Sequence, residues 1–318
     1  MNKYLLLSLA LLATTGCRNH YQGDVVKETY EHKYGVPVSA SDWEKQGKDG
    51  KVVQLLKDGV TVTRSIVKGV PQGITTWTFA NTSTIHREEE YDLGNLIVKR
   101  ENYMSGMPQK EASYDSNGVI TKRLRWYEDG TPAAVENYTG GLLVTGEYRT
   151  PLNLIESRVQ DGAGMRVMRN GEGELIAKDT ITDGELVERI TYYPNGDPSS
   201  ISPYSDGEIN GDRLTYFRGG LPKTVEHWCN GQQEGSTIVY HNGEKFAEVP
   251  FINGQRHGVE LRFRDGQLLV EELSWLNNTQ HGSHKIYVDG ATKVEWYHQG
   301  QIVSHPTFDR LNPPTVER

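Results

Sequence analysis

Apolar and polar residues alternate along short segments of this chain, most regularly in its C-terminal third. Between residues 259 and 264 the apolar positions are Val259, Leu261 and Phe263, and the polar positions are Glu260, Arg262 and Arg264. A period of two places the apolar side chains on one side of an extended chain, as in a half-buried β-strand. The same placement recurs in Leu214 with Tyr216 and in Ile238 with Tyr240. The pattern therefore predicts short strands separated by turns.

Glycines recur between these segments at a fixed period. One series comprises Gly196, Gly219, Gly243, Gly266 and Gly290, at intervals of 23 or 24 residues. A second series comprises Gly207, Gly231, Gly254 and then Asn278 in the glycine position, and a third glycine follows each member four residues later, at 211, 235, 258 and 282. Less regular copies reach back to Gly47, while the region of Gly69 and the stretch from Gly141 to Gly171 fit poorly. A repeat of about 24 residues thus occupies almost all of the chain.

The residues before the glycines predict what each repeat looks like. Asp-Gly occurs at 58, 129, 265 and 289, and Asn-Gly occurs at 117, 170, 195, 230, 242 and 253. Such pairs close tight hairpins because glycine, and to a lesser degree Asn and Asp, tolerates a positive φ. The sequence therefore predicts an all-β fold of tandem hairpins of about 24 residues, which form an extended, twisted antiparallel sheet. We expect one domain, with a break at about 150–171 as an alternative.

Two segments resemble a known repeat family. Asn-Gly-Gln-Arg-His-Gly at 253–258, followed by Phe-Arg-Asp-Gly at 263–266, and Tyr-Tyr-Pro-Asn-Gly at 192–196 resemble the MORN repeat, especially its bacterial variant in YwqK-type antitoxin proteins. The resemblance covers about 35–303 and implies a β-hairpin array that acts as a scaffold or binding surface. The tryptophan that often follows the third glycine in that family is absent here, where Ile238 and Leu261 stand in its place.

The N-terminus has the features of an export signal. Lys3 precedes an apolar run from Leu5 to Leu12, which is too short to span a bilayer. The run leads to Cys17, in a context that resembles the bacterial lipobox, although Thr14 replaces the usual leucine. We therefore predict a lipoprotein signal peptide at 1–16 and lipidation of Cys17, with a plain secretion signal as the alternative.

The predicted signal also gives a location and the ends of the array. An aspartate directly after the lipidated cysteine resembles the signal that retains lipoproteins at the inner membrane. Arg18 stands at that position here, which favours an outer-membrane lipoprotein that faces the periplasm or the cell surface. We expect a lipidated polar tether at 17–34, the repeat array at 35–303 and a disordered tail at 304–318, which leaves the last strand unprotected.

Charge and composition limit the function classes. The net charge is −8, with acidic and basic residues interspersed, whereas nucleic-acid-binding domains are usually strongly basic. We therefore expect no nucleic-acid partner, and membrane attachment through lipid on Cys17 rather than through charge. Of the two cysteines, acylation of Cys17 leaves Cys229 unpaired, either as a tolerated small residue at a strand end or as a reactive thiol.

Candidate reaction chemistry is weak along the whole chain. His257, His281 and His284 could approach one another across neighbouring turns as zinc ligands, but two of them precede a repeat glycine, and turn chemistry accounts for them better. Glu88-Glu89-Glu90 fits a solvated strand better than an acid and base pair, and the nucleophile and phosphate-loop motifs of common enzymes are absent. The sequence predicts no enzyme, no metal and no cofactor.

The recurring aromatics are the candidate binding residues. Trp228, Phe251, Trp275 and Trp296 are able to anchor a protein or stack on sugar rings, although core packing or cross-strand pairing accounts better for any single one of them. We predict a lipid-anchored, non-enzymatic scaffold that binds an envelope or extracellular protein. A glycan or peptidoglycan binder and an antitoxin-like inhibitor are the alternatives. Aromatics in a row beside amide side chains would favour the glycan.

Overall fold

The computed structural model describes residues 25–45 and 47–313. Strands hold 65% of these residues and helices 5%, and the strands follow one another as antiparallel hairpins. This confirms the predicted all-β repeat fold. The predicted signal peptide at 1–16 and Cys17 lie outside the described residues. Among those residues, neither helix is long and apolar enough to cross a membrane.

The chain divides into two compact units, and the first ends at Gly106. Its elements are β1 Val25–His32, β2 Pro37–Val38, α1 Ala40–Lys45, β3 Gly50–Leu56, β4 Thr61–Val67, β5 Val70–Pro71, β6 Gly73–Thr78, β7 Ile85–Asp92 and β8 Asn95–Asn102. Strand β1 pairs with β2 and β3, and β3, β4, β6, β7 and β8 then pair in order. Leu56, Val62 and Trp77 form the core of this unit.

The second unit begins at Met107. Its elements are β9 Pro108–Tyr114, β10 Ile120–Trp126, β11 Pro132–Thr139, β12 Leu142–Arg149, β13 Ile155–Gln160, β14 Ala163–Arg169, β15 Leu175–Thr182, β16 Glu185–Tyr192, β17 Pro198–Ser205, β18 Glu208–Ile209, β19 Gly211–Tyr216, β20 Pro222–Cys229, β21 Gln232–Gln233, β22 Gly235–His241, β23 Glu244–Ile252, β24 Gln255–Arg256, β25 Gly258–Arg264, β26 Leu268–Leu276, β27 Thr279–Val288, β28 Ala291–His298, β29 Gln301–Val303 and α2 His305–Leu311. From β10 onwards each strand pairs with the strand before it, except at β19, β22 and β25. Each of these three strands pairs with the same long strand as the two-residue strand that precedes it.

The turns of the second glycine series have the predicted geometry. Asn253 and Gly254 have φ values of 52° and 73°, and Asn277 and Asn278 have values of 50° and 66°. Positive φ at both central residues is the type I′ arrangement of a two-residue hairpin. Asparagine therefore fills the glycine position in the last copy, because its side chain tolerates the left-handed region.

Successive turns of this series are bonded to each other along one edge of the second unit. The backbone N–H of Gly254 donates to the carbonyl of Gln233 at 2.9 Å, and that of Asn278 donates to Arg256 at 2.9 Å. Equivalent bonds join Gly231 to Ile209 and Gly300 to Gln280. Because each hairpin tip is tied to the one before it, the repeat stays in register at this edge.

The third glycine of each repeat lies at an irregularity of the strand. Gly258 has a φ of 110° and is the first residue of β25, which His257 separates from the two-residue strand β24, whereas Gly282 lies within β27 beside a shift of register. Gly258 lies directly opposite Trp275 on β26. The same pairing recurs in Gly211 with Trp228, Gly235 with Phe251 and Gly282 with Tyr297. An aromatic ring beside each glycine compensates for the missing side chain.

The predicted tether was too long, because Val25–His32 is a strand. Val25 packs against the first unit's core, and the Tyr30 ring lies 5.4 Å from that of Trp43 in helix α1. These contacts outweigh the polar composition of the segment, so the array begins before residue 35.

The predicted disordered tail also requires a correction. Residues 305–311 form helix α2, whose first turn is capped by the Ser304 side chain, which accepts a hydrogen bond from the Thr307 backbone. The Phe308 ring lies 4.9 Å from Trp296 on β28. The prediction failed because it was based on the prolines at 313 and 314 and missed the serine cap before Pro306.

The stretch that fits the repeat poorly contains the most tightly packed part of the second unit. Tyr148 and Val159 are 1% exposed, and they join Ala134, Leu143 and Ile181 in one core. The turn after β14 has its positive φ at Gly173 rather than at Gly171, so the repeat shifts by two residues there. The compact units separate at Gly106 rather than within 150–171.

Candidate binding face

Three of the four candidate aromatics lie on one face of the sheet. Cross-strand pairs carry a row from Thr224 to Val239, Ala247, Arg262 and Glu271. Residues four positions further along a strand project to the same side. Trp228, Phe251 and Trp275 are each four residues beyond a member of that row, so they share its face.

The same register extends the series by one tyrosine at each end. Ser200 pairs with Thr215, and Thr215 pairs with Thr224, which adds Tyr204. At the other end, pairs from Glu271 through Ile286 to Lys293 add Tyr297. We name Tyr204, Trp228, Phe251, Trp275 and Tyr297 the aromatic row. All five side chains are partly exposed.

A second side chain lies beside each ring of the aromatic row. Gln233 is directly opposite Trp228, Arg256 is opposite Phe251, and Gln280 is opposite Trp275. Ile209 and Ile302 hold the equivalent places beside Tyr204 and Tyr297. In the middle of the row, aromatic rings therefore alternate with planar polar groups. The Arg256 guanidinium carbon is 3.7 Å from the centroid of the Trp275 ring, a cation–π contact.

Carboxylates on neighbouring positions fix the polar edges of three rings. Trp228 Nε1 donates to Glu226 Oε2 at 3.0 Å, and Trp275 Nε1 donates to Glu260 Oε2 at 2.9 Å. The Tyr297 hydroxyl donates to Glu295 at 3.3 Å. Because these edges are held by the protein, a ligand would contact the rings through their faces, and one face of the Trp275 ring is already covered by Arg256.

A network of ion pairs supports these carboxylates. Arg262 contacts Glu260 at 2.7 Å and Glu271 at 3.1 Å, and Glu260 is 5% exposed. A hydrogen bond from Lys293 lowers the pKa of Glu295, and burial together with Glu295 raises the pKa of the Tyr297 hydroxyl. The carboxylates next to the rings are therefore paired with cations of the same face rather than left as free negative charges.

The most enclosed charge of the second unit lies elsewhere. Asp179 is fully buried, and it accepts hydrogen bonds from Arg166 at 2.6 Å and from Arg189 at 2.7 Å. Burial alone would raise the pKa of Asp179, but the bonds from Arg189 and Arg166 lower it overall. An ionised carboxylate sealed between two guanidinium groups is closed to substrates, and removal of one partner would leave a buried charge without compensation.

Trp296 is separated from the other candidates. It pairs with Ser283, one position before Tyr297, and therefore projects to the opposite face. The His305 ring of helix α2 stacks on it at 4.1 Å. Sequence reasoning missed Tyr297 in its place, although the residue lies three positions before Gly300, as Trp275 lies three before Asn278.

The candidate metal ligands have separate partners. His257 Nδ1 lies 3.1 Å from Asn277, His281 Nε2 lies 3.1 Å from Asn312, and His284 lies 3.7 Å from both Glu271 and Glu295. Within the described ranges, no group of three or more potential ligands is arranged to hold a metal. Cys229 is a free, exposed thiol at the end of β20.

The chain matches no known protein family and no curated protein. Among solved structures, the TcdB2-TccC3-Cdc42 complex aligns with 86% of this chain at 9% identity and a TM-score of 0.21. A porin-like protein from Bacteroides uniformis aligns over 77% of this chain and 89% of its own length, at 8% identity and a TM-score of 0.13. This chain spans only 20% of the first structure's chain. Likenesses at these scores carry no argument about fold or function.

Proposed function

We propose that this protein is a non-enzymatic, lipid-anchored envelope protein whose aromatic row binds an extended glycan chain. The observation that carries the proposal is the alternation of partly exposed rings with planar polar side chains on one face. The scaffold function predicted from the sequence rests on the same repeat, but amide side chains beside the rings favour a saccharide over a protein.

The chemistry of the row suits a sugar ring. One face of a pyranose presents C–H groups, which pack flat on an aromatic ring through dispersion and removal of apolar surface from water. The hydroxyl groups project from the edge of the sugar, where they need donors and acceptors. Gln233 and Gln280 supply both, and Arg256 supplies a fork of donors.

The spacing of the row suits a polymer. Successive aromatics are two strands apart, which corresponds to roughly 10 Å at a strand separation of about 4.8 Å. This distance is close to the length of one disaccharide in an extended β-linked glycan. Several units of one chain would then contact equivalent rings, and multiple contacts raise the effective affinity.

The matched test uses two phenylalanines of neighbouring strands. Phe251 on β23 belongs to the aromatic row, whereas Phe263 on β25 directly follows Arg262 of the cross-strand row and therefore projects to the other face. Phe251→Ala should weaken binding by about 1–2 kcal/mol, roughly tenfold in Kd. Phe263→Ala should leave binding unchanged. Calorimetric titration with N-acetylglucosamine, cello-oligosaccharide and peptidoglycan fragments measures both.

Two results would count against the proposal. Equal losses in both variants would show that the row has no special role. Absence of saccharide binding, together with recurrent crosslinking to one envelope protein, would favour the protein-scaffold function.

The anchor is tested separately by fractionation, in which Cys17→Ser should move the protein out of the membrane fraction. An unchanged distribution would refute lipidation at Cys17.

A further inference from the structure

One cation beside the aromatic row has no carboxylate partner. The backbone N–H of Arg256 donates to Asn278 Oδ1 at 2.8 Å, but within the described part of the chain its guanidinium takes part in no ion pair and donates no hydrogen bond. By contrast, three other cations of this face contact carboxylates at 3.3 Å or less, namely Arg213, Arg262 and Lys293. Arg256 therefore keeps an uncompensated positive charge and an unused set of N–H donors.

Arg256 lies between two rings of the aromatic row. It is directly opposite Phe251, and Gly258, two residues later, is directly opposite Trp275. The guanidinium carbon is 3.7 Å from the centroid of the Trp275 ring, which is van der Waals contact. Stacking on a ring restricts a long side chain, so the planar donors are held in place before a ligand arrives. A chain that follows the row passes these donors between two rings.

The free donors of Arg256 suit a carboxylate better than a hydroxyl group. A guanidinium binds a carboxylate through two parallel, charge-assisted hydrogen bonds, which are roughly twice as strong as bonds between neutral groups. The equivalent positions opposite Trp228 and Trp275 are Gln233 and Gln280, whose amides suit neutral hydroxyl groups. The middle of the row therefore differs from both neighbouring repeats by one positive charge.

We propose that the aromatic row selects an acidic saccharide, and that Arg256 binds a carboxylate of one of its sugars. This inference rests on the proposed glycan function and names the class of glycan. The net charge of the chain is −8, so its overall field repels an acidic ligand. A preference for such a ligand would have to come from a local contact, which makes Arg256 a specificity-determining residue.

The test compares two oligosaccharides that differ only in their acid groups. One is a cello-oligosaccharide, and the other is the same oligosaccharide oxidised at C6, where carboxylates replace the hydroxymethyl groups. In calorimetric titrations of the full chain, the oxidised form should bind about tenfold more tightly. This preference should fall when the salt concentration rises from about 0.1 M to about 1 M, because salt screens exposed charges.

Arg256→Gln gives this position the side chain that the two neighbouring repeats already carry. The variant should bind the two oligosaccharides with affinities within roughly twofold of each other. Its affinity for the neutral oligosaccharide should stay within roughly twofold of that of the unsubstituted protein, which also shows that the variant is folded.

Lys178→Gln is the charge-matched control. Ala177 continues the cross-strand row through Thr191 and Ser200, so the neighbouring Lys178 projects to the other face. Lys178→Gln removes the same charge as Arg256→Gln but should leave the preference intact.

The possible failures are distinguishable. Equal binding of both oligosaccharides by the unsubstituted protein would overturn this inference and leave the glycan function standing, whereas binding of neither would overturn both. A preference that survives Arg256→Gln, or that Lys178→Gln abolishes to the same extent, would overturn the role of Arg256.

Discussion

At the residue scale, the second unit depends on a few enclosed charges. Glu136 is 1% exposed and accepts hydrogen bonds from Tyr138 at 2.8 Å and Tyr148 at 3.0 Å. Burial and the Glu136 carboxylate raise the pKa of Tyr138 to about 12. Like Asp179, Glu136 is buried but fully paired, so the loss of one partner would leave a buried charge without compensation.

Asp179 gives a prediction with a defined pH dependence. Its folded pKa is lowered, so its stabilising effect is fully present above the unfolded pKa of about 4 and is lost as pH falls through the folded value. Asp179→Asn should lower the free energy of unfolding at pH 7 by about 3–5 kcal/mol. The difference from the parent protein should shrink towards pH 3, as measured by urea unfolding.

The control for this prediction is an exposed aspartate in a turn. Asp206 has a φ of 52°, which asparagine also adopts, so Asp206→Asn should change stability by less than about 0.5 kcal/mol. A difference for Asp179→Asn that stays constant from pH 7 to pH 3 would contradict the assigned role.

At the element scale, each repeat combines two kinds of glycine position. The turn glycine has a φ near that of a left-handed helix, whereas the third glycine of the repeat, four residues later, has a larger φ in most copies. The first position is open to asparagine, as Asn278 demonstrates. The second is restricted by the backbone and by the neighbouring strand, since a Cβ on Gly258 would lie 3.3 Å from the Pro250 ring.

One substitution made at both positions separates these roles. Gly254→Asn should change stability by less than about 0.5 kcal/mol, because a Cβ there meets no atom within 4 Å. Gly258→Asn should cost about 1–3 kcal/mol, because its φ of 110° strains a residue with a side chain. Thermal unfolding of the two variants measures the difference, and equal losses would refute the distinction.

Helix α2 gives the second prediction at this scale. A chain ending after Val303 lacks the His305 and Phe308 rings that cover Trp296. Amides of β28 and β29 should then exchange hydrogen faster than in the full chain, while β19 and β20 should be unaffected because repeat arrays open locally. A chain ending after Pro313 is the control. Unchanged exchange in β28 would show that the helix gives no protection.

At the scale of the whole molecule, local sequence signals predicted the hairpins. They failed where contacts between distant residues determine whether a segment is a strand and which face a side chain occupies. The Asn-Gly and Asp-Gly pairs and the alternation at 259–264 act over a few residues, so they identified turns and strands. The face of a side chain depends on every bulge between it and its neighbours. Trp296 and Tyr297 are adjacent, and register alone assigns one to the helix-covered face and the other to the aromatic row. Val25–His32 became a strand because of its distant partner, β3.

The early start of β1 has a consequence for the proposed anchor. Cys17 lies eight positions before Val25, and eight residues of fully extended chain reach at most roughly 30 Å. If Cys17 bears lipid, the start of the first strand lies within roughly 30 Å of the bilayer surface. The start of the first unit would therefore stay close to the membrane surface, and a partner of β1 would have to reach that layer.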